Sequence, residues 1–277
     1  MKTILTIQSQ VAGDRVGNSA ACFAIERLGV RAIALPTTLY GRRPDKGAPG
    51  GGPVPAGLLA AMLGALEADG ALAGVDVVLS GYIADADQIA FVSDAVLRVK
   101  RANPQAIYVC DPVMGDSGTG QYVSDEIAAA IMGKLVPAAD LITPNVWELE
   151  TIAGLPADTI QNARKAALTL NRAVLVTSAP SPNGIGALFC SAKSSWLVET
   201  PRAPKAPKGT GDLFAALFVA HRLLGKSTAV ALEAAAGATY DVILHSLTEK
   251  DGAMALIEAQ DKLTDPDTWP TAQPIGD

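Results

Sequence analysis

The stretch "PKAPKGTGDLFAALFVAH" (residues 204–221) brings lysines up to Gly209, Thr210 and Gly211, places an acid after them, and continues as an apolar helical run. No Lys-Ser or Lys-Thr follows the glycines, so it is not a P-loop. Glycines ahead of a helix let successive backbone N–H groups converge, and together with the helix dipole these form an anion hole. Asp212 falls in the first turn. A carboxylate there can take a proton from an alcohol while the amides stabilise charge on a transferring phosphoryl group. The same residues also make an ordinary Gly-rich turn with Asp as helix N-cap. The stretch alone does not choose.

Its surroundings are those of a parallel α/β protein. "TILTI" (3–7), "VRAIAL" (30–35), "VDVVLSG" (75–81), "AIYVCDP" (106–112), "ADLITPN" (139–145) and "RAVLVTS" (172–178) read as buried strands. Helical patterns separate them over 16–29, 56–69, 85–102, 124–135 and 160–171. Such alternation predicts βαβ units and a mostly parallel sheet with helices on both faces. Beyond it, 184–201 predicts an antiparallel hairpin, followed by helices over 210–224 and 227–246 and a further helix in "DGAMALIEAQDKLTDP" (251–266). With no internal repeat or interdomain linker, one domain over 1–277 is expected. The single long Gly/Pro stretch, "RRPDKGAPGGGPVP" (42–55), reads as a flexible insertion or as a lid.

Ligands of such sheets sit beyond the carboxyl ends of the strands. The strands end there in Gln8-Ser9, Ser80-Gly81-Tyr82, Asp111-Pro112, Thr143-Pro144-Asn145 and Thr177-Ser178. "YVCDPVMGDSGTG" (108–120) adds Asp116, and "TPNVWELE" (143–150) offers Asn145 and Glu148. Hard oxygen donors of this kind suit Mg²⁺, held partly through water and substrate phosphate. Taken singly, Asp111 is also a turn-former before proline and Glu148 an exposed helix residue. Their recurrence at successive strand ends favours a site.

Bulk properties narrow the class. A net charge of −6 without any basic run argues against nucleic acid. The two histidines, His221 and His245, cannot build a His-rich zinc site. Cys22, Cys110 and Cys190 are far apart in apolar contexts, and are expected as reduced thiols. "MKTILTIQSQ" is too soon interrupted to read as a signal peptide, and no apolar run approaches the roughly 20 residues of a membrane span. A soluble cytoplasmic protein is expected.

Together, "TIQSQVAGDRVGNSAACFAIERLGV", "LSGY", "YVCDPVMGD", "ADLITPNVWELE", "VLVTS" and "KGTGDLFAALF" resemble the pyridoxal kinases of the ribokinase-like superfamily, in the expected order from residue 4 to about 220. GTGD marks only the superfamily, whereas the opening segment and "CDPVMGD" are more specific to vitamin B6 kinases. The resemblance implies a three-layer sandwich and ATP-dependent phosphorylation of the 5′-hydroxymethyl group of pyridoxal. It implies Asp212 as base, Gly209, Thr210 and Gly211 as anion hole, and Ser9, Tyr40 and Tyr82 around the substrate. It further implies Asp111, Thr143, Glu148, Thr177 and Ser178 toward ATP, with Asp116 and Glu148 near Mg²⁺. Lys205 and Lys208 flank the phosphate site and are expected to contact ATP, the alternative being that they only decorate the loop. A homodimer is implied too, and room is left for a monovalent cation.

One segment departs from the family. Where its well-known members carry a segment like "QFSNHTxYG", this chain reads "LYGRRPDKGAPGGGP" (39–53), with Arg43-Pro44 in place of His-Thr. Residues 39–56 are expected to cover the substrate, with Arg42 and Arg43 as solvated loop charges, the alternative being contact with phosphate or a carboxylate. A hydroxymethylpyrimidine kinase, and a non-catalytic B6- or nucleotide-binding protein, remain as alternatives.

Overall fold

The computed structural model describes residues 1–181, 184–249 and 252–276. Among them, β1 (Thr3–Val11), α1 (Asn18–Arg27), β2 (Arg31–Tyr40), β3 (Gly51–Pro53), α2 (Ala56–Ala68), β4 (Val77–Ser80), α3 (Asp87–Ala102) and β5 (Ile107–Cys110) form the first half. A small ribbon of β6 (Gly115–Asp116) and β7 (Gly120–Gln121) follows, then α4 (Asp125–Ala130), which runs through a π-helical turn (Ile131–Leu135) into the short α5 (Val136–Ala138). The second half comprises β8 (Leu141–Ile142), α6 (Val146–Ala153), α7 (Ile160–Thr169), β9 (Ala173–Ser181), β10 (Gly184–Cys190), β11 (Ser195–Thr200), α8 (Thr210–Leu223), α9 (Thr228–Ser246) and β12 (Gln273–Pro274).

The main sheet has the order β12-β11-β10-β9-β8-β5-β4-β1-β2-β3. Its middle, from β9 to β2, is parallel, and the pairings of β3, β10, β11 and β12 are antiparallel. This is a mostly parallel sheet flanked by helices, as the strand–helix alternation predicts. From β1 the chain steps to β2 on one side and later to β4 on the other, so the strand order reverses at β1. Open α/β sheets bind their ligands at such a switch point.

Strand residues alternate between two cores. Leu5, Ile7, Val78, Tyr108, Cys110, Ile142, Val174 and Val176 pack with residues of α2, α3, α4 and α7. Ile4, Val77, Leu79, Val109, Leu141 and Leu175 pack with α1, α8 and α9. The period of two sends neighbouring side chains to opposite faces, and both faces are covered. The Phe218 ring of α8 lies 5.9 Å from that of Phe189 in β10, which fixes α8 against the sheet. Cys110 and Cys190 are buried, and all three cysteines are free thiols. No helix among the described residues is long and apolar enough to cross a membrane.

Three expectations change. The helix over 251–266 does not form: its described part is a series of turns with a 3₁₀ helix at Gln260–Leu263. Its apolar residues Met254, Ala255, Leu256, Ala259 and Leu263 are buried all the same, so the segment packs without becoming a regular helix. Residues 42–55 are no plain coil. β2 continues to Tyr40, a 3₁₀ turn occupies Pro44–Lys46, and β3 pairs back on Thr38, Leu39 and Tyr40. Arg43 is no solvated charge either. Its side chain is 12% exposed and reaches Asp14 and Asp45, because the folded loop lays it along the turn after β1. Arg42, on the exposed side, donates from Nε to the Ala48 carbonyl at 2.8 Å.

Candidate active site

Helix α8 begins without a side-chain cap. Gly209 is the N-cap at φ 96°, and the first bond of the ladder runs from the Leu213 N–H to the Gly209 carbonyl at 3.0 Å. The amides of Thr210, Gly211 and Asp212 precede that ladder and point from the positive end of the helix. Gly209 is obligatory here. A Cβ on it would lie 2.3 Å from the Arg15 carbonyl oxygen and 2.9 Å from Met254 Cε. The loop after β1 is thereby pressed against the anion hole.

Asp212 does not cap its own helix. Its Oδ2 accepts the backbone N–H of Gly17 at 2.8 Å. Burial pushes its carboxyl up to about 6, and the Gly17 bond pulls the other way. A buried carboxyl raised toward neutrality, beside unpaired helix amides, is equipped to receive a proton.

A cavity of about 280 Å³ opens over this helix start. It is lined by Asp111, Asp116, Thr143, Glu148, Thr177, Ser178 and Lys208 together with residues 209–212. An adjoining cavity of about 370 Å³ shares Thr177, Ser178, Thr210 and Gly211, and adds Lys205 and an apolar wall of Ile185, Val198 and Phe214. Ser178 lies between the two at φ 58°, an uncommon conformation for a residue with a side chain. Ser9, Tyr40 and Tyr82 stand outside these linings, on the neighbouring strand ends of β1, β2 and β4. Burial raises the Tyr82 hydroxyl, and the nearby Tyr40 adds to it, so the two phenols share one environment. Ser9 adjoins Asp212 through Gly17: a Cβ on Gly17 would be 2.3 Å from Ser9 Oγ.

The acids divide by role. Glu148 is buried, which removes the alternative of an ordinary exposed helix residue. It is N3 of α6 and forms a capping box with Asn145. Its Oε1 accepts the Met114 N–H and its Oε2 the Asn145 N–H, both at 2.9 Å. Burial lifts it to about 7 despite those bonds. Asn145 donates to the Gly115 carbonyl at 2.7 Å and accepts the Glu148 N–H, so both ends of its amide position backbone. Asp116 accepts Lys208 Nζ at 2.7 Å. Burial acts to raise Asp116, but Lys208 and the amides of Thr119 and Gly118 outweigh it and hold it low. Asp111 is different. Burial, then Glu148, then Asp212 push it well above the usual carboxylate range, and only Thr143 opposes them.

Among the described residues no group of three His, Cys, Asp or Glu side chains is close enough to cage a metal. Asp111 is nevertheless a buried acid with acidic neighbours, which is where a cation lowers the energy. Mg²⁺ keeps waters and phosphate oxygens in its shell, so this donor set fits it through water and not as a protein cage.

The model of the phosphomethylpyrimidine kinase family matches residues 17–256. The chain is 36% identical over 271 residues to pyridoxal kinase PdxY of Corynebacterium diphtheriae, covering 95% of this chain and 96% of that one. It is 39% identical over 272 residues to pyridoxal kinase PdxY of Rubrobacter xylanophilus, covering 95% and 94%. The chain belongs to the pyridoxal kinase family. The structure of the Leishmania donovani pyridoxal kinase in complex with ADP and pyridoxamine superposes over 100% of both chains, with a TM-score of 0.92 at 25% identity. This kinase is therefore a phosphotransferase of ribokinase-like fold.

Sequence reasoning passed over several residues of the candidate site. Tyr122 and Trp147 line the smaller cavity. Nothing in their spacing marks them, since the β6–β7 ribbon and α6 bring them there. Gly17 was visible only as part of a motif. The Asn-x-x-Glu spacing of Asn145 and Glu148 did carry a signal, that of a capping box.

Proposed function

We propose that this kinase transfers the γ-phosphoryl group of ATP to the 5′-hydroxymethyl group of pyridoxal, giving pyridoxal 5′-phosphate. The observation that carries the reading is Asp212, buried and held by Gly17 beside the unpaired amides of α8. In this reading Asp212 Oδ1 or Oδ2 receives the hydroxyl proton as the new O–P bond forms. The amides of residues 210–212 then face the oxygens of the transferring group. Ser9, Tyr40 and Tyr82 orient the pyridine ring. Thr177, Ser178, Lys205 and Lys208 flank the nucleotide, whose base suits the apolar wall of the larger cavity. Asp111, with Glu148 and Asp116 nearby, would hold Mg²⁺ through water, and the ion would neutralise phosphate charge. The ADP and pyridoxamine of the Leishmania complex support the same pair of ligand classes.

The reading extends to one kinase domain over 1–277, acting as a cytoplasmic homodimer whose Ala-rich helices are suited to pairing. Light scattering measures the dimer. Function is tested by ATP- and Mg²⁺-dependent turnover of pyridoxal, pyridoxine, pyridoxamine and hydroxymethylpyrimidine, with Asp212→Asn run in parallel. Pyridoxal turnover abolished by the substitution is expected. Turnover of hydroxymethylpyrimidine alone would move the kinase to the other branch of its family. Nucleotide binding without turnover would make it a binding protein.

A further inference from the structure

Asp14 is an acid whose side chain is only 2% exposed, on the turn between β1 and α1. Its Oδ1 accepts Lys46 Nζ at 2.8 Å and Arg43 Nη1 at 3.4 Å. Both cations come from the 41–53 strap, the segment in which this chain departs from its family. The strap is also joined to the same turn through backbone. The Ala12 N–H donates to the Tyr40 carbonyl at 2.8 Å, and the Gly13 N–H to the Gly41 carbonyl at 3.0 Å. Within the strap the Gly41 N–H bonds the Pro49 and Gly50 carbonyls, and Arg43 grips Asp45 by two bonds of 2.9 and 3.0 Å. These bonds tie the strap together and join it to the turn after β1.

Asp45 of the strap also feels the charge of Lys208. Arg43 is the main cause of the low Asp45 carboxyl, burial opposes it, and Lys208 lies near enough to lower it further. Lys208 in turn holds Asp116 and adjoins Gly209. Ion pairs thus link Asp14 to Arg43 and Lys46 and Arg43 to Asp45, and a separate pair joins Lys208 to Asp116.

We propose that Asp14 is a positioning residue for catalysis, the anchor that seats Arg43 and Lys46 and so holds the strap closed over the substrate. The proposal rests on the pyridoxal-phosphorylating reading. Closure excludes water from a phosphoryl group that would otherwise be transferred to it. A single buried carboxylate shared by two strap cations is suited to this work, because it is desolvated only while the strap is down. Opening exposes all three charges together.

The test compares wild type, Asp14→Asn, Asp14→Glu, Lys46→Met and the Asp14→Asn/Lys46→Met pair. Strap position is read without activity, by trypsin cleavage after Arg42 and Lys46 in the native protein, since Arg43 precedes proline and resists. Asp14→Asn is expected to speed that cleavage about tenfold and to raise the KM for pyridoxal by a similar factor, with kcat changed much less. ATP hydrolysis without vitamer should rise, and Asp14→Glu should restore part of the KM. The double variant should be little worse in KM than either single one, the mark of a shared interaction. A thermal midpoint close to wild type shows that the fold is intact. Unchanged cleavage and unchanged KM in Asp14→Asn would overturn the proposal. If wild type fails to phosphorylate pyridoxal while Asp14→Asn still opens the strap to trypsin, the substrate reading has failed and the anchor has not.

Discussion

The backbone N–H of Gly17 donates to Asp212 Oδ2 at 2.8 Å across 195 residues of sequence. One loop, between β1 and α1, thus touches the proposed base, packs its Arg15 carbonyl on the anion-hole glycine, and carries Ser9 just upstream. The proposed ring-binding and phosphate-binding halves of the site share a single piece of backbone. Positioning of this kind is what phosphoryl transfer chiefly needs from a protein.

Gly17→Ala is expected to damage both halves. Its φ of 54° and ψ of −132° are open only to glycine, and a Cβ would meet the Ser9 carbonyl oxygen at 2.3 Å. Strain of about 1–3 kcal/mol should show as a lower urea midpoint. Displacement of the N–H from Asp212 should lower kcat by roughly 10²-fold.

Activity should follow the ionisation of Asp212. With its carboxyl raised to about 6, log kcat/KM should fall with unit slope below that pH and level off above it. Asp212→Asn should lower kcat about 10²–10⁴-fold, and nucleotide binding measured by calorimetry should persist.

The same residue should weaken the fold at neutral pH. The unfolded chain releases this proton near 3.8, the folded one near 6. Between those values the folded state holds the extra proton, so stability falls as pH rises through the window, and the full loss is present above it. Ionised Asp212 costs on the order of 3 kcal/mol there. Asp212→Asn should therefore raise the melting temperature at pH 8 and gain little at pH 4.

Glu148→Ala should unfold the kinase more readily. It leaves the buried Met114 N–H without its acceptor and removes one half of the Asn145 capping box. Each stranded donor costs about 1–3 kcal/mol, so a loss of about 2–4 kcal/mol in chemical denaturation is expected, together with a higher KM for ATP.

Lys208→Ala should behave oppositely. Its side chain is 52% exposed, and exposed ion pairs contribute about 1 kcal/mol or less. Stability should hardly move. KM for ATP should rise, because the cation beside the anion hole is gone, and the effect should shrink at high salt.

The parallel core could be read directly from the chain. Apolar runs of strand length alternating with helical periods specify a covered parallel sheet by local pattern alone, whereas glycines before an acid at the start of an apolar helix fit an anion hole and an ordinary capped turn alike. The Asn-x-x-Glu spacing of a capping box was present in the chain as well, because capping is a three-residue affair. Only the tertiary structure decided what the other charges do. Glu148, read as an oxygen donor toward ATP and Mg²⁺ with an exposed helix residue as the alternative, becomes a buried acceptor for three backbone amides once β6 folds over α6. Arg43, read as solvated, meets an acid 29 residues earlier, and Gly17 meets one 195 residues later. The burial of 254–263 without a regular helix belongs to the same class, since packing against α8 and α9 overrode the helical period. Local pattern governs where backbone bonds close within a few residues. The pairing and protonation of a carboxylate depend on what distant segments bring beside it, and no spacing along the chain encodes that.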